Sequence, residues 1–233
     1  MNLHSWAKVF IFCVLLVGFA TCDTTVSEPD GTVLGYDYFP TDLGSFVEYE
    51  VEEVEYDPVN PPATSNYQIR EDITESFTDI EGKDAFRVER YRRDNGLQAW
   101  DLDSVWVVQR TANQGIRIEN NQVFVKMAFP VSTGLKWNGN TYNHLDEDEY
   151  EITALDKSFS INEQNFAKSL KVIQADDSSL VSLDRRQEVY ARGVGLVYRF
   201  QRQVVYCTEP ACLGLGKIEF GIQKIIKIKS YGF

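Results

Sequence analysis

The stretch FVEYEVEEVEY, Phe46 to Tyr56, alternates apolar and acidic residues, with Val47, Tyr49 and Val51 on one parity and Glu48, Glu50 and Glu52 on the other. Successive side chains of a strand point to opposite faces, so this spacing predicts a half-buried β-strand with one solvated face. Val54 and Tyr56 then fall on the opposite parity. That change of phase predicts a β-bulge near Glu52 and Glu53.

The same period recurs along the chain. YQIREDITESF puts Tyr67, Ile69, Ile73 and Phe77 on one side, and FRVERYRR, SVWVVQRT, GIRIEN and QVFVKMAF follow. After Pro130, Gly134 and the WNGN of Trp137 to Asn140, which read as a long connection, come YEITALD, KSLKVIQAD, RQEVYARG, GLVYRFQRQVVYC and KIEFGIQKIIKIKSYG. Turn residues punctuate the series at Glu81-Gly82, Asp94-Asn95-Gly96, Asn113-Gln114-Gly115 and Asn120-Asn121. Such residues tolerate positive φ, and strands this short and this regularly spaced predict an antiparallel meander. Residues 161–170 are the one stretch that also fits a short helix.

The expected fold is therefore all-β, a meander of about ten strands curled into an open barrel or packed as a two-sheet sandwich, because a flat sheet would leave an apolar face and two edges exposed. An outer-membrane β-barrel fits less well. Its lipid-facing side must be apolar, whereas here Glu and Arg alternate with apolar residues on strand after strand, which only a polar lumen would accommodate.

The N-terminus has a different pattern. Met1 to Lys8 carry one positive charge, and Val9 to Ala20 form an uncharged apolar run too short for the roughly 20 residues of a membrane span. This is the pattern of a signal peptide. It ends at Phe19-Ala20-Thr21-Cys22, which resembles a bacterial lipobox, in which the cysteine thiol receives diacylglycerol and a peptidase then cuts before it. Ala20 and Thr21 are small, as the site requires, while Phe19 and Thr21 depart from the commonest pattern in a way familiar from relaxed lipoboxes. Ordinary cleavage after Cys22 is the alternative. The following DTTVSEPDGTVLG is polar, contains Gly and Pro, and lacks periodicity, as a tether does. The expected organisation is a signal peptide over 1–21, a lipid-anchored flexible tether over 22–37 and a single β-rich domain over 38–233.

The chain has 233 residues and a formal charge of −12, one unit more negative once Lys8 leaves with the leader. No basic cluster offsets this, which argues against nucleic acid as a partner and against electrostatic adhesion to anionic lipid. Membrane attachment then falls to the acyl chains of Cys22, since two or three anchor stably where one does not. Of the four cysteines, Cys13 lies in the leader, so Cys207 and Cys212 remain as an even pair separated by TEPA. Pro210 favours a tight turn that brings the thiols within bridging distance, and an oxidising compartment makes a disulfide the expected state. A loop this short contributes only about 2 kcal/mol, a local staple.

Several stretches resemble a group of uncharacterised envelope lipoproteins from Bacteroidetes-type bacteria. They are YFPTDLGSFVEYEV at Tyr38 to Val51, KWNGN at Lys136 to Asn140 and EVYARGVGLVYRF at Glu188 to Phe200. The resemblance implies a cell-envelope lipoprotein with a β-rich domain and supplies no activity. The residues themselves read as structural: Phe39 can cap one end of the core, Pro40 and Gly44 open the domain, Gly193 and Gly195 permit a bend flanked by the core residues Val194 and Val197, and beside a turn at Asn138-Gly139 Trp137 reads as a core plug, with a sugar platform as the alternative.

Candidate chemistry is sparse. After the leader the single histidine is His144, with no G-x-S-x-G elbow to present a nucleophile, and one histidine cannot make a histidine-rich zinc site. Asp146-Glu147-Asp148-Glu149 lacks the glycine turn and ligand spacing of an EF-hand, and reads as a solvated acidic loop. No nucleotide-binding glycine loop occurs. The expectation is a non-catalytic protein with no cofactor, metal or catalytic residue, anchored through Cys22 in a bacterial cell envelope at the outer membrane. Its β domain is expected to bind a protein partner, a glycan or an apolar ligand. The alternative is a glycan-acting hydrolase with two facing carboxylates, one of them with a raised pKa.

Overall fold

The structure, a computed structural model, describes residues 30–233. The strands are β1 Phe46–Tyr56, β2 Ala63–Thr78, β3 Asp84–Arg93, β4 Asp101–Arg110, β5 Gln114–Glu119, β6 Gln122–Ala128, β7 Lys136–Asn138, β8 Glu149–Ile161, β9 Gln164–Ser178, β10 Ser182–Ala191, β11 Gly195–Tyr206 and β12 Ile218–Gly232. All twelve belong to one antiparallel sheet in the order β6-β5-β4-β3-β2-β1-β12-β11-β10-β9-β8-β7. It consists of two meanders joined where β1 pairs with β12, so the chain neighbours β6 and β7 sit at opposite edges.

The sheet curls until those edges meet, giving a nearly closed barrel rather than a sandwich. At the seam the Val125 amide donates to the Gly139 carbonyl (2.9 Å), Trp137 Nε1 donates to the Val125 carbonyl (2.8 Å), and Asn143 Nδ2 donates to the Val123 carbonyl (2.8 Å). These bonds occupy the open edge of β6, where an unpaired strand would otherwise invite a second chain. KWNGN is thus a seam closure, with β7 a short strand inside the expected connection. Trp137 packs edge-on against Tyr150, with ring centroids 5.8 Å apart.

The two-residue turn expected at Asn120-Asn121 is present, both residues having positive φ. Asn162 and Glu163 make a second such turn, with φ of 47° and 64°, so the helix considered for 161–170 gives way to the hairpin of β8 and β9. Asn and its neighbour in this conformation match the twist of a hairpin, and this local preference wins over the weak helical period. β3 and β4 also pair as expected, through a longer loop over 94–100.

The bulge expected at Glu52 and Glu53 is absent: pairing of β1 with β2 and β12 runs unbroken through both residues, and the irregularity lies between Glu48 and Tyr49. Glu53 keeps the inward parity of Tyr49 and Val51. Lys224 Nζ lies 2.7 Å from its carboxylate and Tyr67 OH donates to it at 3.0 Å. The apparent phase change marks an acid turned inward, not an inserted residue.

Of the expected tether, 22–37, the part from Asp30 onward forms regular structure. Residues 1–29, Cys22 and the leader among them, lie outside the described residues. Asp30 caps the helix α1 (Gly31–Leu34), and a 3₁₀ turn follows at Tyr36–Tyr38. This segment crosses one end of the barrel. The Leu34 carbonyl accepts from the Val131 amide, the Asp37 carbonyl accepts from the Gly193 amide, and Tyr36 OH donates to the Ala112 carbonyl. Tyr38 is fully buried, and its OH donates to Asp156. Arg192 ties the cap down through Asp37 (2.7 Å) and Asp156 (2.9 Å). Gly193 and Gly195, both at positive φ, close the hairpin of β10 and β11 beneath it. We call this the capped end. The opposite, far end carries the loops 57–62, 94–100 and 207–217, while the 139–148 loop runs along the seam, where Tyr142 OH donates to Gln114.

Gly139 tests the seam. A Cβ there would lie 2.4 Å from the Tyr150 ring, whereas one on Gly96 in the far-end loop meets nothing. Gly139→Ala is expected to cost about 1–3 kcal/mol by overpacking, read as a lowered midpoint in denaturant unfolding, with Gly96→Ala close to wild type.

Candidate functional site

The barrel interior is the most chemically loaded region of the molecule. Glu188 on β10 faces Arg199 on β11 in register, so both side chains project to the same, inward face. Arg199 Nε lies 2.7 Å from Glu188 Oε1, and Tyr190 OH donates to Oε2 at 2.5 Å. Lys126 on β6 reaches the same carboxylate across the lumen, at 2.9 Å, past the intervening β7, β8 and β9. Glu188 has no solvent exposure.

A second cluster adjoins it. Arg117 Nη2 donates to both oxygens of Glu71 at 3.0 Å, and its Nε lies 3.1 Å from Glu119. Arg90 pairs with Asp103 at 2.6 Å and lies 3.6 Å from Glu71. The guanidinium groups of Arg90 and Arg117 lie 4.6 and 4.8 Å from the centre of the Trp106 ring. Arg90, Arg117, Lys126 and Arg199 are thus matched by Glu71, Asp103, Glu119 and Glu188. The interior is charged and locally neutral.

Burial alone would raise the pKa of Glu188, but Lys126 and Arg199 outweigh it and pull the group down to about 2. Glu119 is lowered on the same balance, with burial opposed by Arg117, Lys126 and Arg199. Lys126 is lowered because its burial exceeds the attraction of Glu188. Burial raises Tyr190 and Tyr49, with Glu188 and Glu71 adding to it respectively. The shifts favour the charged form of Glu188 and Glu119, while burial works against the charge on Lys126 and keeps Tyr190 and Tyr49 neutral.

Between the clusters and the cap lies a cavity of about 80 Å³. Phe39, Val47, Ile73, Val108 and Leu196 contribute to its walls, and Glu71, Arg117 and Tyr49 supply polar groups. Tyr49 OH is already committed to the Leu196 carbonyl at 3.1 Å. A cavity of about 150 Å³ is the size that admits benzene, so this space is smaller than a lipid or other sizeable apolar ligand needs. The outward faces of β1 and β2 carry Glu48, Glu50, Glu52, Arg70 and Asp72, with Arg70 paired to Glu48 and Asp72. Those faces offer no apolar band to a bilayer.

The residues singled out from sequence are dispersed. Cys22 is outside the described residues. Cys207 and Cys212 are joined by a disulfide, Cα atoms 5.8 Å apart, in the far-end loop. His144 is exposed in the 139–148 loop. In the neighbouring acidic run, Asp148 makes a two-pronged pair with Arg186 at 2.7 and 2.9 Å, and Glu149 pairs with Lys136 at 2.6 Å. Among the described residues, no group of three or more His, Cys, Asp or Glu side chains is arranged to hold a metal ion.

Glu188, Lys126, Arg199, Arg117 and Glu71 were not legible as a cluster. In GIRIEN the isoleucines suggest the buried face and Arg117 the solvent face. The structure has it reversed: Arg117 points inward, while Ile116 is buried on the outside beneath Gln109, Asp79 and Tyr142. The available signal was Lys126, a lone charge within the apolar QVFVKMAF.

No family model matches the chain, and no curated protein matches it in sequence. Two solved structures are similar to it. One is a protein from Bacteroides fragilis assigned as exported, with a YmcC-like fold, at 10% identity and a TM-score of 0.45; the match covers 84% of this chain and 98% of that one. The other is from Parabacteroides distasonis and assigned as a lipoprotein, at 11% identity and a TM-score of 0.40, with the same coverage of 84% and 98%.

Because Glu188 has a lower pKa folded than its ordinary 4.5, its contribution to stability is complete above that value and is lost as pH falls from about 4.5 towards 2. Glu188→Gln, which leaves two buried cations facing a neutral amide, is expected to lower stability at neutral pH by about 3 kcal/mol. The variant should also lose less stability than wild type on acidification over that window, as checked by denaturant unfolding across a pH series.

Proposed function

We propose that the protein is a non-catalytic lipoprotein of the bacterial cell envelope. It is held at the outer membrane by acyl chains on Cys22, and its β-barrel binds a protein or glycan partner through its outer surface and loops. The anchor rests on the leader and on the Ala20-Thr21-Cys22 site. The binding role rests on the barrel interior, whose ionic groups are occupied by one another and whose cavity beneath the cap is too small for a lipid cargo, while larger hollows of about 350, 600 and 530 Å³ open beside Tyr67, Leu102 and Tyr142. A filled barrel is a rigid platform, so of the ligand classes expected from sequence the apolar one has the least support.

The paired-carboxylate hydrolase calls for an acid held protonated near neutral pH. The interior acids with a resolved shift, Glu188, Glu119 and Glu53, are all shifted downward, which favours the binding role. Release of reducing ends from envelope glycan by the purified protein would restore the hydrolase.

Cys22→Ser tests the anchor. The wild-type protein is expected in the membrane fraction with an acylated Cys22 at its mature N-terminus, and the variant in the soluble envelope fraction. Wild type recovered soluble, with an unmodified N-terminus after Cys22, would refute it.

A further inference from the structure

The cap determines which end of the barrel can meet the membrane. Eight positions separate Cys22 from Asp30, the first described residue, which lies at the capped end. Eight residues span at most about 28 Å, and a flexible chain of that length averages about 16 Å. The eleven residues of β1 make about 36 Å of strand. With the strand tilt of a barrel, about 40°, the two ends stand about 28 Å apart. The far end could therefore touch the bilayer only with the linking chain drawn straight.

The capped end also carries exposed apolar residues; so do the far-end loops, at Val59, Leu97, Leu180 and Leu215, and it is the reach of the anchor that chooses between the two ends. Val33, Leu43 and Phe233 are exposed at 75%, 56% and 87%, and Tyr231 at 49%. Tyr231, Phe233, Pro40 and Val194 line one shallow depression with Asp42, the neighbour of Leu43. Val33 lies on α1, which Arg192 fastens to the same surface through the Thr32 carbonyl. The charge of Arg192 is compensated by Asp37 and Asp156, and Asp30 and Asp42 make the surroundings acidic. Such a patch fits an uncharged lipid interface better than an anionic one.

We propose that the capped end of the barrel rests on the lipid surface, with Leu43, Phe233 and Val33 in the interfacial layer, and that the far-end loops point away from the membrane. This rests on the lipid anchor proposed above. The contact need not be strong, because attachment at Cys22 gives it an effective concentration on the order of millimolar.

The test uses full-length, acylated protein in phosphatidylcholine vesicles, with an environment-sensitive fluorophore on Asp42→Cys at the capped end or on Leu97→Cys at the far end. Flotation and the N-terminal mass are measured in parallel. The expected result is flotation of both, with a several-fold brighter and blue-shifted emission at position 42 and water-like emission at position 97. Adding Leu43→Glu and Phe233→Glu should return position 42 to water-like emission while flotation persists. Flotation with water-like emission at position 42, or with equal emission at both sites, overturns the orientation and leaves the anchor standing. A response at position 42 that scales with protein density on the vesicles means that a second copy covers the patch, and overturns it too. Failure to float, with an unacylated N-terminus, removes the anchor and the inference with it.

Discussion

A sheet of twelve strands that closes on itself encloses more space than aliphatic side chains fill, and the rest of this structure follows from that constraint. Eight strands make an interior that side chains just fill, and twelve make a wider one. The extra width is taken up by long groups, Arg90, Arg117, Arg199, Lys126, Trp106, Tyr49 and Tyr190, and by the cap, which sets Tyr38 and Phe39 over one end. Four of these groups carry charge. A buried charge without a partner is costly, so the same filling requires Glu71, Glu119 and Glu188 inside, with the exposed Asp103 pairing with Arg90 from the rim. Glu188, bonded from β6, β10 and β11 at once, links strands that are distant around the sheet.

This constraint also accounts for how much the sequence disclosed. Period-two alternation located β1 to β6 and β8 to β12, and Asn-Asn at 120–121 marked a hairpin, because strands and turns are local. Local patterns assume that polar means outside. In the barrel Arg117 and Glu53 point inward while Ile116 is buried on the outer side, so alternation gave the strands correctly and the faces wrongly at those positions. The bulge inferred at Glu52 and Glu53 was the same error. No spacing along the chain announces that Lys126 will meet Glu188, 62 positions away.

The motifs that stand out in the sequence belong to closure. KWNGN supplies Trp137 and Gly139 to the seam, YFPTDLG lays the cap across one end, and the ARGVG turn receives it through Arg192 and Gly193. Closure and filling together leave only the outer surface and the loops open to solvent among the described residues. The disulfide between Cys207 and Cys212 staples one of those loops.

The central claim is that the interior is a filled, self-neutralised core in an anchored protein, not a compartment for a ligand or a substrate. Native mass spectrometry of the protein drawn from the bacterial envelope in mild detergent tests it most directly. The predicted mass is that of the chain beginning at an acylated Cys22, with the disulfide and nothing else bound. A retained small molecule of several hundred daltons, displaced only on unfolding, would contradict it.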